Sequence, residues 1–170
     1  FFLQNITDVS DKIIRRAKGN DQNPSAIARR FERAFLSDMK SLDIRSVNCY
    51  ARASKFIPEI IRQIQRLIRR GFAYATPGGN VYFRVRKFKD YGKLSHQNIA
   101  KVSKLYKKVM VSEGELDPTE GKEDEIDFAL WKASSPREPK WKSPWGWGRP
   151  GWHIEDTAIT ETFFGPQYDI

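Results

Sequence analysis

A short segment, residues 143–156, carries the side chains that are best suited to chemistry. Its sequence is SPWGWGRPGWHIED, in which three tryptophans alternate with glycines and prolines ahead of His153, Glu155 and Asp156. Glycines let a backbone approach a ligand closely, and large aromatic rings offer that ligand a flat wall. An imidazole and two carboxylates beside such a wall can bind polar groups or a metal ion. This composition predicts a ligand pocket and is unusual for a surface connector.

Basic side chains form a second set of residues with possible function, in three clusters. They are Arg62, Arg66, Arg69 and Arg70; Arg84, Arg86, Lys87 and Lys89; and Lys101, Lys104, Lys107 and Lys108. The chain as a whole has a formal net charge of +9. Cations near phosphates release condensed counterions and so strengthen binding, which favours a polyanionic partner. A solvated helix surface is the alternative explanation for each cluster.

Periodic apolar residues predict the helices that position these groups. The expected ranges are 25–42, 57–70, 98–110 and 154–164. In the first helix Ile27, Phe31 and Leu42 should lie near one inward face, and in the last Ile159 and Phe163 should point inward. The helix over 57–70 has the strongest pattern, because its isoleucines recur at helical spacing opposite its arginines.

Strands and loops complete the expected fold. A buried strand should open the chain and lead to Asp11, which can cap a short basic helix. A hairpin is expected where residues 72–75 and 80–85 alternate around a Thr-Pro-Gly-Gly turn. The acidic stretch 113–127 lacks apolar periodicity and is typical of a solvated loop. The tryptophan segment favours neither helix nor strand, so we expect tertiary packing to hold it.

Composition narrows the class of protein. With 170 residues, of which 39% are hydrophobic, the chain can form a sizeable core. The mixed order of helices and strands indicates an α/β protein. No apolar stretch has the roughly 18 residues that a membrane span requires. Cys49 is the only cysteine and is expected in a loop, which excludes an internal disulfide and favours a reducing, cytoplasmic location.

Five segments, taken in order, resemble the catalytic domain of cysteinyl-tRNA synthetases. They are FLQNITDVSDKIIRRA, IPEIIRQIQRLIRRGFAY, YGKLS, DFALWK with EPKWKSPWG, and the tryptophan segment. The last is similar to the family's PWGxGRPGWHIEC motif at the amino-acid pocket, with Asp156 in place of the final cysteine. The family's HIGH, HGGG, HHENE and KMSKS motifs do not occur in residues 1–170. The sequence is therefore expected to be an internal piece of a longer enzyme, without much of the ATP site.

The resemblance implies a fold and a division into regions. Class I synthetases have a Rossmann-type, nucleotide-binding catalytic core that is split by a connective insertion, here expected as an α+β subdomain. Residues 1–45 should then end the first half of the core. Residues 46–140 should form the insertion, and residues 141–170 should begin the second half with the pocket motif. The implied activity is ATP-dependent ligation of cysteine to tRNA.

The resemblance also implies roles for single residues. Thr7, Trp152, His153 and Glu155 match positions of the amino-acid pocket, and no residue of the chain is expected to be catalytic itself. Asp156 matches one of the family's zinc ligands, where the zinc ion binds the substrate thiolate and so separates cysteine from serine. A carboxylate is a harder ligand than a thiolate. Asp156 is thus either a retained oxygen ligand or the mark of weakened zinc binding, and it could also cap a helix.

The implied partners are tRNA(Cys), cysteine and ATP with Mg²⁺, and no membrane. The expected tRNA contacts are Arg62, Arg66, Arg69, Arg70, Lys104, Lys107 and Lys108. Two other functions stay open. The cysteine ligase of mycothiol biosynthesis shares the tryptophan motif, joins cysteine to an amino sugar and needs no tRNA. A free-standing RNA-binding module derived from a synthetase would need neither ATP nor cysteine.

Overall fold

A computed structural model describes residues 1–96 and 117–168 of the chain. Its first sheet is a parallel pair, β1 (Leu3–Ile6) and β2 (Cys49–Arg52), in the register Leu3↔Cys49 to Ile6↔Arg52. Two helices, α1 (Asp11–Gly19) and α2 (Pro24–Ser41), lie between these strands in the sequence. They form the long crossover that parallel strands require. The α/β class is confirmed.

The second sheet has five strands and is antiparallel. They are β3 (Ala73–Ala75), β4 (Val81–Phe83), β5 (Phe128–Ala133), β6 (Trp141–Ser143) and β7 (Gly146–Pro150), in the spatial order β3-β4-β5-β7-β6. The expected hairpin is confirmed as β3 and β4, and its turn ends at Gly79 with a φ of +86°. Glycine suits this turn because it adopts positive φ without a steric penalty.

Residues 146–150 of the tryptophan segment form the strand β7, which composition alone did not predict, and pairing with other strands holds the segment as expected. β6 and β7 pair with each other, and β7 also pairs with β5. A neighbouring strand supplies the hydrogen bonds that local composition does not predict. Gly148 is required at its position because a side chain there would collide with the ring nitrogen of Trp131 and the backbone of Lys132.

The main core lies between the second sheet and two helices, α3 (Ile57–Arg69) and α4 (Ile154–Phe164). Ile60 and Ile64 of α3 have no exposed surface, which confirms the predicted apolar face. Each such side chain stabilises the fold by about 1.5–3 kcal/mol through burial. Gly71, with a φ of +74°, follows the end of α3.

The predictions of which residues face inward on α2 and α4 are partly wrong. On α2, Ile27 is buried, whereas Phe31 lines an open cleft and is 44% exposed. Leu42 follows the last residue of α2 and is 70% exposed. Buried Glu32 lies inward instead, since its carboxylate accepts bonds of 2.8 and 2.9 Å from Nε of Arg52. On α4 the expectation for Ile159 is confirmed, whereas the ring of Phe163 is exposed.

Three smaller expectations are also corrected. Asp127, in the acidic stretch, is buried because it accepts bonds from the Tyr74 hydroxyl and the Val85 amide, at 2.9 and 3.0 Å. Cys49 begins a strand instead of lying in a loop. Ser10 caps α1, and Asp11 is its first residue. The predicted helix 98–110 lies outside the described residues.

No helix in the described part of the chain is both long enough and apolar enough to cross a membrane.

Candidate functional site

The carboxyl ends of the two parallel strands bring the first site residues together. Nδ2 of Asn5, on β1, lies 3.3 Å from Oγ1 of Thr7 and donates a short hydrogen bond to Oδ1 of Asp156. Asp8 ties this end of β1 to the end of β2, since its carboxylate accepts bonds from the backbone amide and hydroxyl of Ser54. Ligands commonly bind outside the carboxyl ends of parallel strands. The arrangement therefore places Thr7 where a ligand is expected.

The amino end of α4 supplies the opposite side of the site. His153 occupies the cap position with a φ of +76°, in the left-handed region that is uncommon for residues other than glycine. Its Nδ1 lies 3.2 Å from Oδ2 of Asp156. Asp156 belongs to the first turn of the helix, where the helix dipole stabilises a carboxylate. The idea that Asp156 caps this helix is wrong, because His153 holds the cap position.

Trp152 and His153 present a shared aromatic surface. Their ring centroids are 4.0 Å apart with an angle of 23° between the planes, so the rings are stacked. The side chains of His153 and Asp156 are 63% and 42% exposed, which leaves both accessible to a ligand. A left-handed cap costs on the order of 1–3 kcal/mol, and such strain is typical of functional sites.

Glu155 lies apart from this surface. It is 2% exposed and belongs to the interior side of α4, together with Ile154. The predicted substrate-binding role of Glu155 stays a prediction.

Two cavities flank these contacts. A cleft of about 440 Å³ is lined by Asn5 and Thr7, together with residues of α1 and α2. A second cavity, of about 370 Å³, is lined by His153, Arg66, Arg70 and an apolar floor that includes Phe128. Thr7 and His153 line different cavities, and the hydrogen bonds through Asn5 and Asp156 connect them.

Four arginines on and beside α3 are exposed, as their spacing predicts; they are Arg62, Arg66 and Arg69 of the helix, and Arg70 directly after it. Nη2 of Arg62 lies 2.7 Å from Glu59, and Arg66 forms an ion pair with Glu161. The hydrogen bond from Arg66 holds the pKa of Glu161 below its ordinary value of 4.5, against the opposing effect of burial. Lys104, Lys107 and Lys108 lie outside the described residues.

The site can offer one ligand to a metal ion. Among residues 1–96 and 117–168, no three His, Cys, Asp or Glu side chains are grouped closely enough to hold an ion. A carboxylate accepts about four hydrogen bonds or metal contacts. Asp156 uses part of this capacity on Asn5 and His153 and is partly exposed. It therefore has the chemistry of a single oxygen ligand, and its binding of zinc stays a prediction.

Sequence reasoning missed Asn5. It precedes Thr7 by two residues on an extended segment, and such residues face the same side of a strand. The spacing of two residues could have indicated that Asn5 lies beside Thr7 in the site. A second missed feature is the burial of Lys132 and Arg149, for which a lysine inside the apolar run FALWKA was the only hint.

A parallel pair of strands with a helical crossover, a second, antiparallel sheet and polar side chains at the strand ends form part of an α/β catalytic core. The sequence model described as tRNA synthetases class I (C) catalytic domain matches residues 1–170, and the chain belongs to this family. The chain is similar to the cysteine–tRNA ligases of Thermoplasma volcanium and Thermoplasma acidophilum, at 53% and 52% identity over 170 residues. Each of these comparisons covers 100% of the chain and 36% of the relative.

A more distant relative gives the same result. The cysteine–tRNA ligase of Methanococcus maripaludis is 44% identical over 166 residues, which are 98% of the chain and 33% of the relative. The chain thus spans about a third of the length of these relatives.

Proposed function

We propose that this chain supplies the amino-acid pocket and the neighbouring insertion of an ATP-dependent cysteine–tRNA ligase. Such an enzyme activates cysteine as cysteinyl-adenylate and transfers it to tRNA(Cys). The observation that carries the proposal is the contact from Thr7 through Asn5 to Asp156 and His153. It joins residues that are 151 positions apart in the sequence. The names of the similar ligases support the choice of cysteine.

Each pocket residue has a role that suits its surroundings. The Trp152 ring provides a flat wall for a small, polarizable side chain. Thr7 and His153 offer polar groups on the two sides of the site. Asn5 orients the carboxylate of Asp156 by binding its Oδ1. These groups bind and position cysteine, and catalysis then rests on placing ATP and the amino acid correctly.

Asp156 would be one ligand of a zinc ion. When bound, zinc would select the substrate thiolate over a hydroxyl, because sulfur is the softer ligand. The remaining zinc ligands would come from outside the described residues. ATP would enter with Mg²⁺, for which the described residues offer no dedicated cluster of carboxylates.

The basic face of α3 is proposed to contact the acceptor stem of tRNA. Arg69 and Arg70 form no ion pair within the described ranges, so they are available for phosphates. Arg62 and Arg66 already pair with carboxylates and would have to exchange those partners. Lys104, Lys107 and Lys108 are proposed as contacts on sequence grounds alone.

The proposed regions of the chain are the first half of the core (1–45), the insertion (46–140) and the second half of the core (141–170). Sheet membership favours slightly different limits, because β2 pairs with β1 whereas β6 and β7 belong to the five-stranded sheet. On this basis the insertion would extend through β7, and the second half of the core would begin near Trp152. A cytoplasmic location remains part of the proposal.

Charging of tRNA tests the proposed function. The full encoded protein should attach radiolabelled cysteine to tRNA(Cys) when ATP is present. Asp156→Ala should lower charging by about a hundredfold, and it should also lower bound zinc, measured by elemental analysis. The matched control is Asp90→Ala, which removes an exposed carboxylate that lines neither cavity.

Other outcomes separate the alternatives. Transfer of cysteine to an amino sugar without tRNA would support the mycothiol-type ligase. Binding of RNA with no activation of cysteine would support the RNA-binding module. Either result from a folded protein would overturn the proposal.

A further inference from the structure

Two buried cations lie side by side on neighbouring strands of the second sheet. Lys132 of β5 lies directly opposite Arg149 of β7, and the two residues are 3% and 9% exposed. Like charges at directly opposed positions destabilise a sheet. Burial increases the cost, because a charge removed from water needs a close partner. This pair therefore requires an anion between its members.

Asp11 supplies that anion from another part of the fold. Its Oδ2 lies 2.9 Å from Nζ of Lys132, and its Oδ1 accepts a 2.7 Å bond from Nη2 of Arg149. Two further carboxylates belong to the cluster. Asp117 lies 3.3 Å from Nζ of Lys132, and Glu138 lies 2.8 Å from Nη1 of Arg149.

The charge state of Asp11 follows from these contacts. Burial by itself raises the pKa of the Asp11 carboxyl, but the two cations outweigh burial and lower this pKa below its ordinary value of 3.8. Asp11 is thus a carboxylate at neutral pH, with one oxygen bound to each cation.

The cluster joins the two segments that carry the pocket. Asp11 begins α1 and follows Thr7 by four residues. Arg149 precedes Trp152 by three residues, and the Gly151 amide between them donates a 2.9 Å bond to the carbonyl of Leu130. A shift of Asp11 relative to β7 would thus move the Thr7 side of the site relative to the Trp152 side.

We propose that Asp11 is a positioning residue that sets the distance between the two sides of the amino-acid pocket by binding Lys132 and Arg149. This proposal rests on the proposed function, because it concerns the same pocket. A carboxylate held at both oxygens has a fixed orientation, which an apolar contact of equal stability would not give. A misplacement of about 1 Å in a site can lower activity by about a hundredfold.

The test is cysteine-dependent exchange of pyrophosphate into ATP, measured on the full encoded protein. Arg149→Lys keeps the positive charge but removes the planar guanidinium, whose Nη1 and Nη2 bind Glu138 and Asp11 in a fixed geometry. It should raise the KM for cysteine by about tenfold and leave the KM for ATP within about twofold. Asp11→Asn should act in the same direction. The matched control is Arg84→Lys, which changes an arginine bound to Glu123 on the surface.

A third variant keeps the test valid if Asp11→Asn fails to fold. Glu138→Gln alters only the partly exposed outer end of the cluster and should raise the KM for cysteine by about threefold. An unchanged KM for cysteine in every variant that melts cooperatively would overturn the positioning role while the proposed function stands. Equal increases in both KM values would also contradict it, because they indicate a general loss of structure. If the unaltered protein shows no exchange, the proposed function fails, and the positioning role fails with it.

Discussion

The apolar core and the polar junction of this protein are built in different ways. In the core, α3 places Ile60 and Ile64 against the five-stranded sheet, with no surface exposed to solvent. At the junction between β1 and α4, the contacts are hydrogen bonds from Asn5 and His153 to Asp156. The core depends on the amount of buried surface, whereas the junction depends on the placement of a few polar atoms. Substitutions in the core should therefore lower mainly the free energy of unfolding, and substitutions at the junction should lower mainly the activity.

The largest effect is expected from a core substitution. Ile64→Ala removes a fully buried side chain and should lower the free energy of unfolding by about 2–5 kcal/mol. Urea denaturation of the full encoded protein measures this loss. Leu94→Ala is the control, since Leu94 is 97% exposed and should change stability by less than about 0.5 kcal/mol. Similar losses from both variants would contradict the assignment of the core.

The junction should show the opposite behaviour. Asn5→Ala removes the donor to Asp156 and Thr7, so it should lower kcat/KM for cysteine by about 10–100-fold. The free energy of unfolding should fall by only about 1 kcal/mol, the usual contribution of one hydrogen bond. Asn20→Ala is a matched control, because Asn20 bonds only to the backbone at the end of α1. A large loss of stability with unchanged kinetics would count against the comparison.

The stability that the buried charge cluster contributes should depend on pH, whereas that of the apolar core should not. The cations lower the pKa of Asp11 in the folded protein, so the unfolded chain binds this proton more readily. Asp11 therefore stabilises the fold fully above the ordinary pKa of 3.8, and this contribution is lost as the pH falls through the lower, folded value. Denaturation curves at pH 7 and pH 3 should show a smaller pH-dependent loss for Asp11→Asn than for the unaltered protein. Equal losses would show that Asp11 does not carry this dependence.

The smallest effects are expected on the basic face of α3. Arg69→Ala or Arg70→Ala should raise the KM for tRNA by about threefold, and each should reduce the salt dependence of binding by about one phosphate contact. Arg62→Ala should have a weaker effect, because Arg62 is paired with Glu59. A KM for tRNA that none of these variants changes would remove α3 from the tRNA interface.

The sequence predicted the elements whose period is simple. Spacing alone predicted α3 and its exposed arginines, because burial of one helix face imposes a regular pattern. The β3–β4 hairpin was predicted from alternation around turn residues. The family, the identity of the tryptophan segment and its position beside Thr7 followed from the resemblance. The strands β6 and β7 were missed because β7 pairs with a distant strand, β5, and β6 in turn pairs with β7.

The polar contacts could not be predicted from the sequence, because their partners are also distant in the chain. Nothing in the pattern around Asp11 indicates that its partners are Lys132 and Arg149, more than 100 positions away. The burial of Glu32 and Asp127 likewise depends on partners that only the fold brings close. The left-handed conformation of His153 gave no signal either, because glycine is the residue that usually occupies this region.

The most direct test of the polar junction is a double-mutant cycle between Asn5→Ala and Asp156→Ala. Cysteine-dependent pyrophosphate exchange by the full encoded protein gives kcat/KM for each variant. If Asn5 acts by orienting Asp156, the double variant should lose no more activity than Asp156→Ala alone, within about twofold. Losses that multiply in the double variant would show that the two residues act independently, and would contradict the account.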